Sequence, residues 1–433
     1  MKPTLLTGNV AAAWGARLAG VDYIPAFPIT PQTEIIETLG AWVDGGQMPA
    51  RMVTLESEHS MLTAAGAAAA TGVRVFSATS SQGLLYAMEM LYTVAGWRAP
   101  FVLVNVSRGL SAPITLEADH NDIMAARDCG FLQIHCADCQ EVVDSILLAY
   151  RLAEDPAIRL PVLVNLDGFY LSFTREPVSL PDIEAVRQFL PPFDPGDIRF
   201  TASAPESQAV AVLGGGPYSY FRYETHLAAL NGVAVYERVA AEFAVLFGRQ
   251  HDAVECYRGE DAEIVFYMIG SFATKAREAV DRLRESGQKV GLVRPRLLRP
   301  YPREVLARAV AGKQAVIVID QNLSVGQGGV LHTELTASLY GNPDAPRIIT
   351  SFIGGLGGRD ISAQEFYQML AVTRDAIACG ETPEPRLLYT AQELREVRKL
   401  QAIAIVEREE TAPGQRATAG DDSSASEEGV SGE

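Results

Sequence analysis

"VTLESEHSMLTAAGAAAATG" occupies Val53–Gly72. Its head carries Glu56, Glu58 and His59, with Arg51 just upstream, and a run of alanines and glycines follows. The preceding "RMVTL" reads as a strand, so the whole stretch predicts strand, turn and a closely packed helix with carboxylates at its start. The helix dipole alone favours a carboxylate there. Glu58 therefore has an ordinary structural reading beside any functional one, and the surrounding sequence has to decide between them.

Outward from this stretch, short apolar runs alternate with helical patterns through about the first 180 residues. "VDYIPAFPIT" leads into "PQTEIIETLGAWV", and "VRVFSAT" into "GLLYAMEMLYTVAGW". "PFVLVNVS", "LQIHC" and "LPVLVNLDG" read as further strands, and "HNDIMAARDCG" and "QEVVDSILLAYRLAED" as the helices among them. Buried β runs alternating with helices predict a parallel α/β sheet with helices on both faces. Ligands gather at the carboxyl ends of such strands. A second α/β unit begins near Glu263, with "EIVFYMIGS", "QKVGLVRPRLLRPYP", "QAVIVIDQN" and "PRIITSFIGGLGGRD" as strand-bearing runs. Its first helix, "FATKAREAVDRLRESG", closes at Gly287. Between the units, "AVAVLGGGPYSYFRYETHLAAL" reads as strand, glycine turn and helix; "LGGG" alone is a weak nucleotide signal. The expected division is 1–258, 259–375, C-terminal helices over 376–410, and an acidic tail over 411–433 lacking hydrophobic period and expected to be disordered.

The formal net charge of −17 argues against nucleic acid as a partner, because phosphate binding needs a basic patch. From Ile405 to Glu433 eight acidic residues face two arginines. No apolar run is long enough for a membrane span, and the start "MKPTLLTGNV" does not read as a signal peptide. Cys129, Cys136, Cys139, Cys256 and Cys379 do not form a disulfide framework in a chain this long. Together these predict a cytoplasmic protein.

Neither a GxxxxGK[ST] phosphate loop nor an HExxH zinc motif occurs. Cys136-Ala-Asp-Cys139 is a lone CxxC, and cluster or structural metal sites usually take four ligands. Three polar positions stand out in the first unit. Thr30, in "FPITPQTE", either offers its hydroxyl to a ligand or caps the next helix. Glu58 heads the alanine-rich helix. Arg108, in "VNVSRGLSAPI", sits just past an apolar strand, where its fork could clamp a carboxylate or merely lie in solvent.

Seven segments occur in order: "FPITPQTEIIE", "ESEHSMLTAAGAAAATG", "ATSSQGL", "SRGLSAPI", "DHNDIMAARDCGF", "LDGF" and, far downstream, "GLGGRDI". From about residue 5 to about 375 the chain resembles the alpha subunit of a 2-oxoacid:ferredoxin oxidoreductase of the pyruvate type. The resemblance implies a thiamine-enzyme pyrimidine-binding domain followed by a transketolase C-terminal-like α/β domain. It implies a thiamine diphosphate enzyme that decarboxylates a 2-oxoacid, passes electrons to ferredoxin and loads the acyl group onto coenzyme A. By the same resemblance Glu58 binds the pyrimidine ring and is catalytic, since a glutamate there favours the ring tautomer that serves as an internal base. Thr30 and Arg108 bind the substrate carboxylate. The Gly-Asp-Gly motif that holds magnesium and the diphosphate is absent. Mg2+, the other half of the cofactor site and the iron–sulfur clusters are thus expected on beta, gamma and delta-type partner subunits, and the isolated chain is expected to be inactive. "SRGLSAPI" and "DHND" resemble the pyruvate branch more than the 2-oxoglutarate branch; branched-chain 2-oxoacids and oxalate stay open as substrates. Outside the enzyme class, a non-catalytic structural or binding subunit is the alternative. "GLGGRDI" reads as a tight turn at a strand end that meets another domain.

Overall fold

In a computed structural model, which describes residues 3–196, 200–208 and 210–410, the chain up to Arg386 forms one compact unit built on two large sheets, with a small antiparallel pair, Thr4–Thr7 and Arg175–Val178, beside them. The acidic tail lies outside the described residues.

The first sheet runs in the order Leu297–Arg299, Leu132–His135, Val162–Asp167, Val102–Ser107, Phe76–Thr79. All its pairs are parallel except the outermost, where Leu297–Arg299 lies antiparallel to Leu132–His135. A parallel bridge from Val75 to Tyr23 carries it on to Tyr23–Ala26, which pairs in parallel with Arg51–Thr54. The two long central strands are buried at every position, as continuous apolar runs require in a sheet covered on both faces. On one face Val102, Val104 and Val106 pack with residues of the helices Gly8–Leu18 and Cys139–Ala153. On the other, Leu103 and Leu163 pack with Glu58–Ala70 and Met88–Gly96.

The alanine-rich stretch folds as a helix, Glu58–Ala70, because Ser57 caps it, its hydroxyl accepting from the Ser60 amide at 3.2 Å. Its small residues let the neighbouring helix come close: a Cβ on Gly66 would fall 2.3 Å from Cγ1 of Val94. The expected single helix after "VRVFSAT" is two, Ser81–Tyr86 and Met88–Gly96, meeting at Ala87.

The second sheet contains, in order, Ile348–Ile353, Ala315–Asp320, Ile264–Tyr267, Val290–Pro295 and Val254–Tyr257; of the four pairs these strands make, only the last is antiparallel. The helix Ala363–Cys379 begins with a Ser362–Glu365 capping box and stops at Gly380, whose φ is +76°. The two units are sewn together. After Pro295 the chain crosses to supply the edge strand Leu297–Arg299 of the first sheet. Wholly buried Arg294 donates to Glu141 of the first unit and to Glu255 of the second.

Two expectations need correction. No strand forms among the described residues between Thr201 and Gly214 apart from an isolated Thr201–Ala204 bridge. The described part of "AVAVL", residues 210–213, is β-prone but pairs with no strand among the described residues, and the helix Gly215–Leu230 follows. The helix expected over "HNDIMAARDCG" is a short piece, Asn121–Ala125. From Leu387 the chain forms a separate unit containing the helix Ala391–Glu410. Among the described residues no helix is long and apolar enough to cross a membrane.

Candidate active site

Glu58, Thr30 and Arg108 all follow the carboxyl ends of parallel strands: Arg51–Thr54, Tyr23–Ala26 and Val102–Ser107. A fourth segment, the start of the helix Ser81–Tyr86 with its cap Ser80, follows Phe76–Thr79 and ties them together.

Glu58 is the first residue of its helix, yet its side chain turns inward and only 5% of the residue is exposed. Burial pushes its carboxyl pKa up from the ordinary value; its own backbone amide offsets this only in part. The carboxylate fits because Gly83 has no side chain: a Cβ there would lie 2.4 Å from Glu58 Oε1 and 2.7 Å from Thr79 Oγ1. The Thr79 and Ser80 hydroxyls are buried without a hydrogen-bond partner among the described residues.

Arg108 is buried at 6% exposure. One arm of its guanidinium donates to the Thr30 carbonyl at 2.7 Å and the other to Oε1 of Gln82. Its Nε is buried with no partner among the described residues. Burial pulls the arginine pKa down and nearby Asp122 opposes that. Thr30 is exposed, and Gln32, not Thr30, occupies the cap of the next helix. The cap reading for Thr30 therefore fails; its carbonyl orients Arg108 while its hydroxyl makes no bond among the described residues. Glu56, expected in the first turn, lies ahead of the Ser57 cap instead, exposed and accepting from the Ser60 hydroxyl, and His59 faces Glu89 at 3.4 Å. Neither joins the site.

Beneath these groups lies a polar cluster that motif reading passed over. Fully buried Asp122 accepts from the Ser81 amide at 3.0 Å, the Arg108 amide at 3.3 Å and Asn105 Nδ2 at 3.1 Å on one oxygen. Its other oxygen accepts from Ser107 Oγ at 2.9 Å. Thus one carboxylate fixes the backbone of both Ser81, at the start of its helix, and Arg108. Ser81 itself has φ +47°, the left-handed region that is uncommon for a side-chain-bearing residue and often marks functional turns. Asn105 also donates to Asn165 at 2.8 Å. That pair was visible in principle: "VLVN" occurs at Val102–Asn105 and again at Val162–Asn165, and the strands align the two copies in register. Deeper still, His120 meets Asp167 at 2.7 Å, and Asp167 accepts from the Ser271 amide at 2.8 Å, joining the carboxyl ends of the two sheets.

The CxxC has a plain role. Cys136 and Cys139 are buried free thiols, and burial raises their pKa values. Among the described residues no group of three or more His, Cys, Asp or Glu side chains could hold a metal ion.

Residues 14–238 match the family described as "Pyruvate flavodoxin/ferredoxin oxidoreductase, thiamine diP-bdg", and residues 262–366 match "Pyruvate:ferredoxin oxidoreductase core domain II". The chain is 41% identical over 371 residues to the pyruvate synthase subunit PorA of Methanothermobacter thermautotrophicus, a match covering 86% of this chain and 95% of that relative. The chain belongs to the thiamine diphosphate-binding pyruvate:ferredoxin oxidoreductase family. Another family member, the ketoisovalerate oxidoreductase subunit VorA of Pyrococcus horikoshii, is 38% identical over 380 residues, covering 87% of this chain and 95% of its own. The fold is shared with a solved 2-oxoglutarate:ferredoxin oxidoreductase from Magnetococcus marinus at TM-score 0.66 and 20% identity; the match covers 86% of this chain, which spans about 65% of that longer one.

The residues fit one end of a thiamine. A buried carboxylate without a side-chain partner among the described residues, with the unpaired Thr79 and Ser80 hydroxyls near it and space kept open by a glycine, suits a flat ring that brings its own hydrogen-bond donor.

Proposed function

We propose that this chain is the alpha subunit of a 2-oxoacid:ferredoxin oxidoreductase that converts pyruvate and coenzyme A to acetyl-CoA and carbon dioxide, with electrons passed to ferredoxin. The carrying observation is Glu58: an acid with a raised pKa, buried without a side-chain partner among the described residues, next in space to Gly83, whose chain neighbour Gln82 holds Arg108.

Thiamine diphosphate, when bound, supplies the electron sink for decarboxylation. Glu58 would accept a hydrogen bond from its pyrimidine ring, and the low polarity around that carboxylate strengthens the bond. Arg108 would face the substrate carboxylate, its fork pre-set by the Thr30 carbonyl and Gln82 so that little is lost on binding. The Thr30 hydroxyl, uncommitted, would donate to the same substrate. Magnesium, the diphosphate grip and the iron–sulfur clusters belong on beta, gamma and delta-type subunits, a reading supported by relatives named as subunits. A cytoplasmic location goes with it, supported by five cysteines that are all free thiols.

A branched-chain 2-oxoacid is the second reading, because the ketoisovalerate relative is 38% identical while the pyruvate relatives span 36% to 41%. The test is purification of the native complex and assay of ferredoxin or viologen reduction with coenzyme A across pyruvate, branched-chain 2-oxoacids, 2-oxoglutarate and oxalate. Highest kcat/KM on pyruvate is expected. Arg108→Ala should cost about 2–5 kcal/mol of substrate binding, and an unchanged KM would overturn the clamp. A complex that binds no thiamine would favour a purely structural subunit.

A further inference from the structure

The strand Ile348–Ile353 ends in a turn whose Gly355, Gly357 and Gly358 all have positive φ, at +77°, +57° and +74°. This turn belongs to the second α/β unit, but it grips the root of the loop that follows Arg108 in the first. The Gly358 amide donates to the Ala118 carbonyl at 2.7 Å, and the Gly357 amide faces the Asp119 carboxyl closely enough to help hold its pKa down against burial. Asp119 accepts from the Asn121 amide at 3.0 Å. The neighbouring turn of the same sheet adds two more ties, His120 N–H to the Gln321 carbonyl at 2.8 Å and Leu323 N–H to Asn121 Oδ1 at 3.0 Å.

On its other side Asp119 leans on the residue next to Arg108: a Cβ on Gly109 would lie 2.9 Å from Asp119 Oδ2. The Gly109 amide closes the loop by donating to Glu117 at 3.0 Å. The loop tip, by contrast, stands out from the surface, with Ile114 73% and Leu116 46% exposed. Residues 109–119 are therefore placed by their root, and the root is held between Asp122 below and the glycine turn above.

We propose that the Gly355–Gly358 turn is a positioning element for the substrate clamp, acting through Asp119 on loop 109–119 and so on the direction in which Arg108 presents its guanidinium. The inference rests on Arg108 binding the substrate carboxylate. It gives the second unit a part in substrate selection without contact to the reacting atoms. It also accounts for the glycines: a Cβ on Gly358 would fall 2.6 Å from Glu117 Cβ, so any side chain there pushes on the loop.

Gly341 provides the control. Its φ is +78°, so alanine there meets the same left-handed strain, but nothing lies within 4 Å of the added Cβ. In the native complex, Gly358→Ala is expected to raise the KM for pyruvate about tenfold, with kcat and the thiamine diphosphate activation constant within about threefold, as a small misplacement of a clamp would. Gly341→Ala should leave all three unchanged. Asp119→Asn adds no bulk and gives up one acceptor oxygen; a several-fold rise in KM with unchanged Tm is expected, and this variant carries the test if Gly358→Ala does not assemble. Equal KM values in Gly358→Ala, Asp119→Asn and Gly341→Ala overturn the inference. An Arg108→Ala arm separates the two readings. If it leaves KM unchanged, the substrate assignment itself falls; if it raises KM while Gly358→Ala and Asp119→Asn do not, only the positioning role falls.

Discussion

Gly83 and Glu58 share one space: where alanine would put its methyl group at position 83, the Glu58 carboxylate already lies, 2.4 Å from the Cβ position. Gly83→Ala should therefore turn Glu58 out of its site while leaving the strand and helix around it intact. The expected result is a fall in kcat/KM of about 10- to 100-fold, about 1.4–2.7 kcal/mol of transition-state stabilisation, with a raised requirement for thiamine diphosphate. Steady-state kinetics of the assembled complex at varied cofactor concentration check this, and wild-type values would remove Glu58 from the chemistry.

The same burial sets a conflict between function and stability. Burial raises the Glu58 pKa, so the ionised form costs stability at every pH above that raised value. The cost disappears as the pH falls below the ordinary carboxylate pKa of about 4.3. Glu58→Gln keeps the shape and removes the charge. The chain without cofactor should then melt roughly 1–3 °C higher than wild type near pH 7.5, an advantage that shrinks as the pH drops toward 4.5. Turnover should fall by at least ~100-fold, the scale of a lost acid–base contribution. Differential scanning of the two proteins across this pH range is the measurement.

Much of this was legible in the chain because the signals were local. Apolar runs such as "PFVLVNVS" name buried strands by themselves, and Ser57 before Glu58 marks a helix start. What could not be read depends on register and crossing. Gln82 and Asp122 look like ordinary polar residues until the helix start after Phe76–Thr79 is laid beside Arg108. The edge strand Leu297–Arg299 has the sequence of a loop between prolines, and only the open edge at Leu132–His135 makes it a strand. Conversely residues 210–213, "VAVL", are β-prone and pair with no strand among the described residues. Propensity yields to available partners in both cases.

Thiol chemistry gives an independent check on how the CxxC is buried. Cys136 and Cys139 have raised pKa values, and their S–H groups point at the carbonyls of Glu141 and Thr174. Burial pushes Cys129 up to about 12. A thiol without thiolate character is a poor nucleophile. In the native chain at pH 8 a disulfide reagent should modify the exposed Cys379 promptly, the exposed Cys256 more slowly because partial burial and nearby Glu255 raise its pKa, and the other three only after denaturation. Ready oxidation of Cys136 to Cys139 would contradict this and reopen a redox role.

The last relationship concerns how the two α/β units stay together. Arg294 is wholly buried and reaches Glu141 at 2.5 Å and Glu255 at 2.6 Å, while Arg296 reaches Glu141 at 2.8 Å. Burial by itself would raise the Glu141 pKa, but the two guanidiniums outweigh it and hold the carboxyl well below the ordinary range. A depressed carboxyl pKa contributes stability that is present above the ordinary value of about 4.3 and is lost as the pH falls through the folded value. Glu141→Gln should thus cost about 3–5 kcal/mol at pH 7.5, because it leaves two buried cations short of their counter-charge. Glu184→Gln, which removes an exposed pair with Arg187, should cost less than about 1 kcal/mol. Urea unfolding at pH 7.5 and again near pH 3.5 separates the causes. The gap between wild type and Glu141→Gln should narrow in acid, where the Glu141 carboxyl protonates in the unfolded chain while the folded one is still ionised. A gap of equal size at both pH values would mean that shape and packing at position 141, rather than its charge, join the two units.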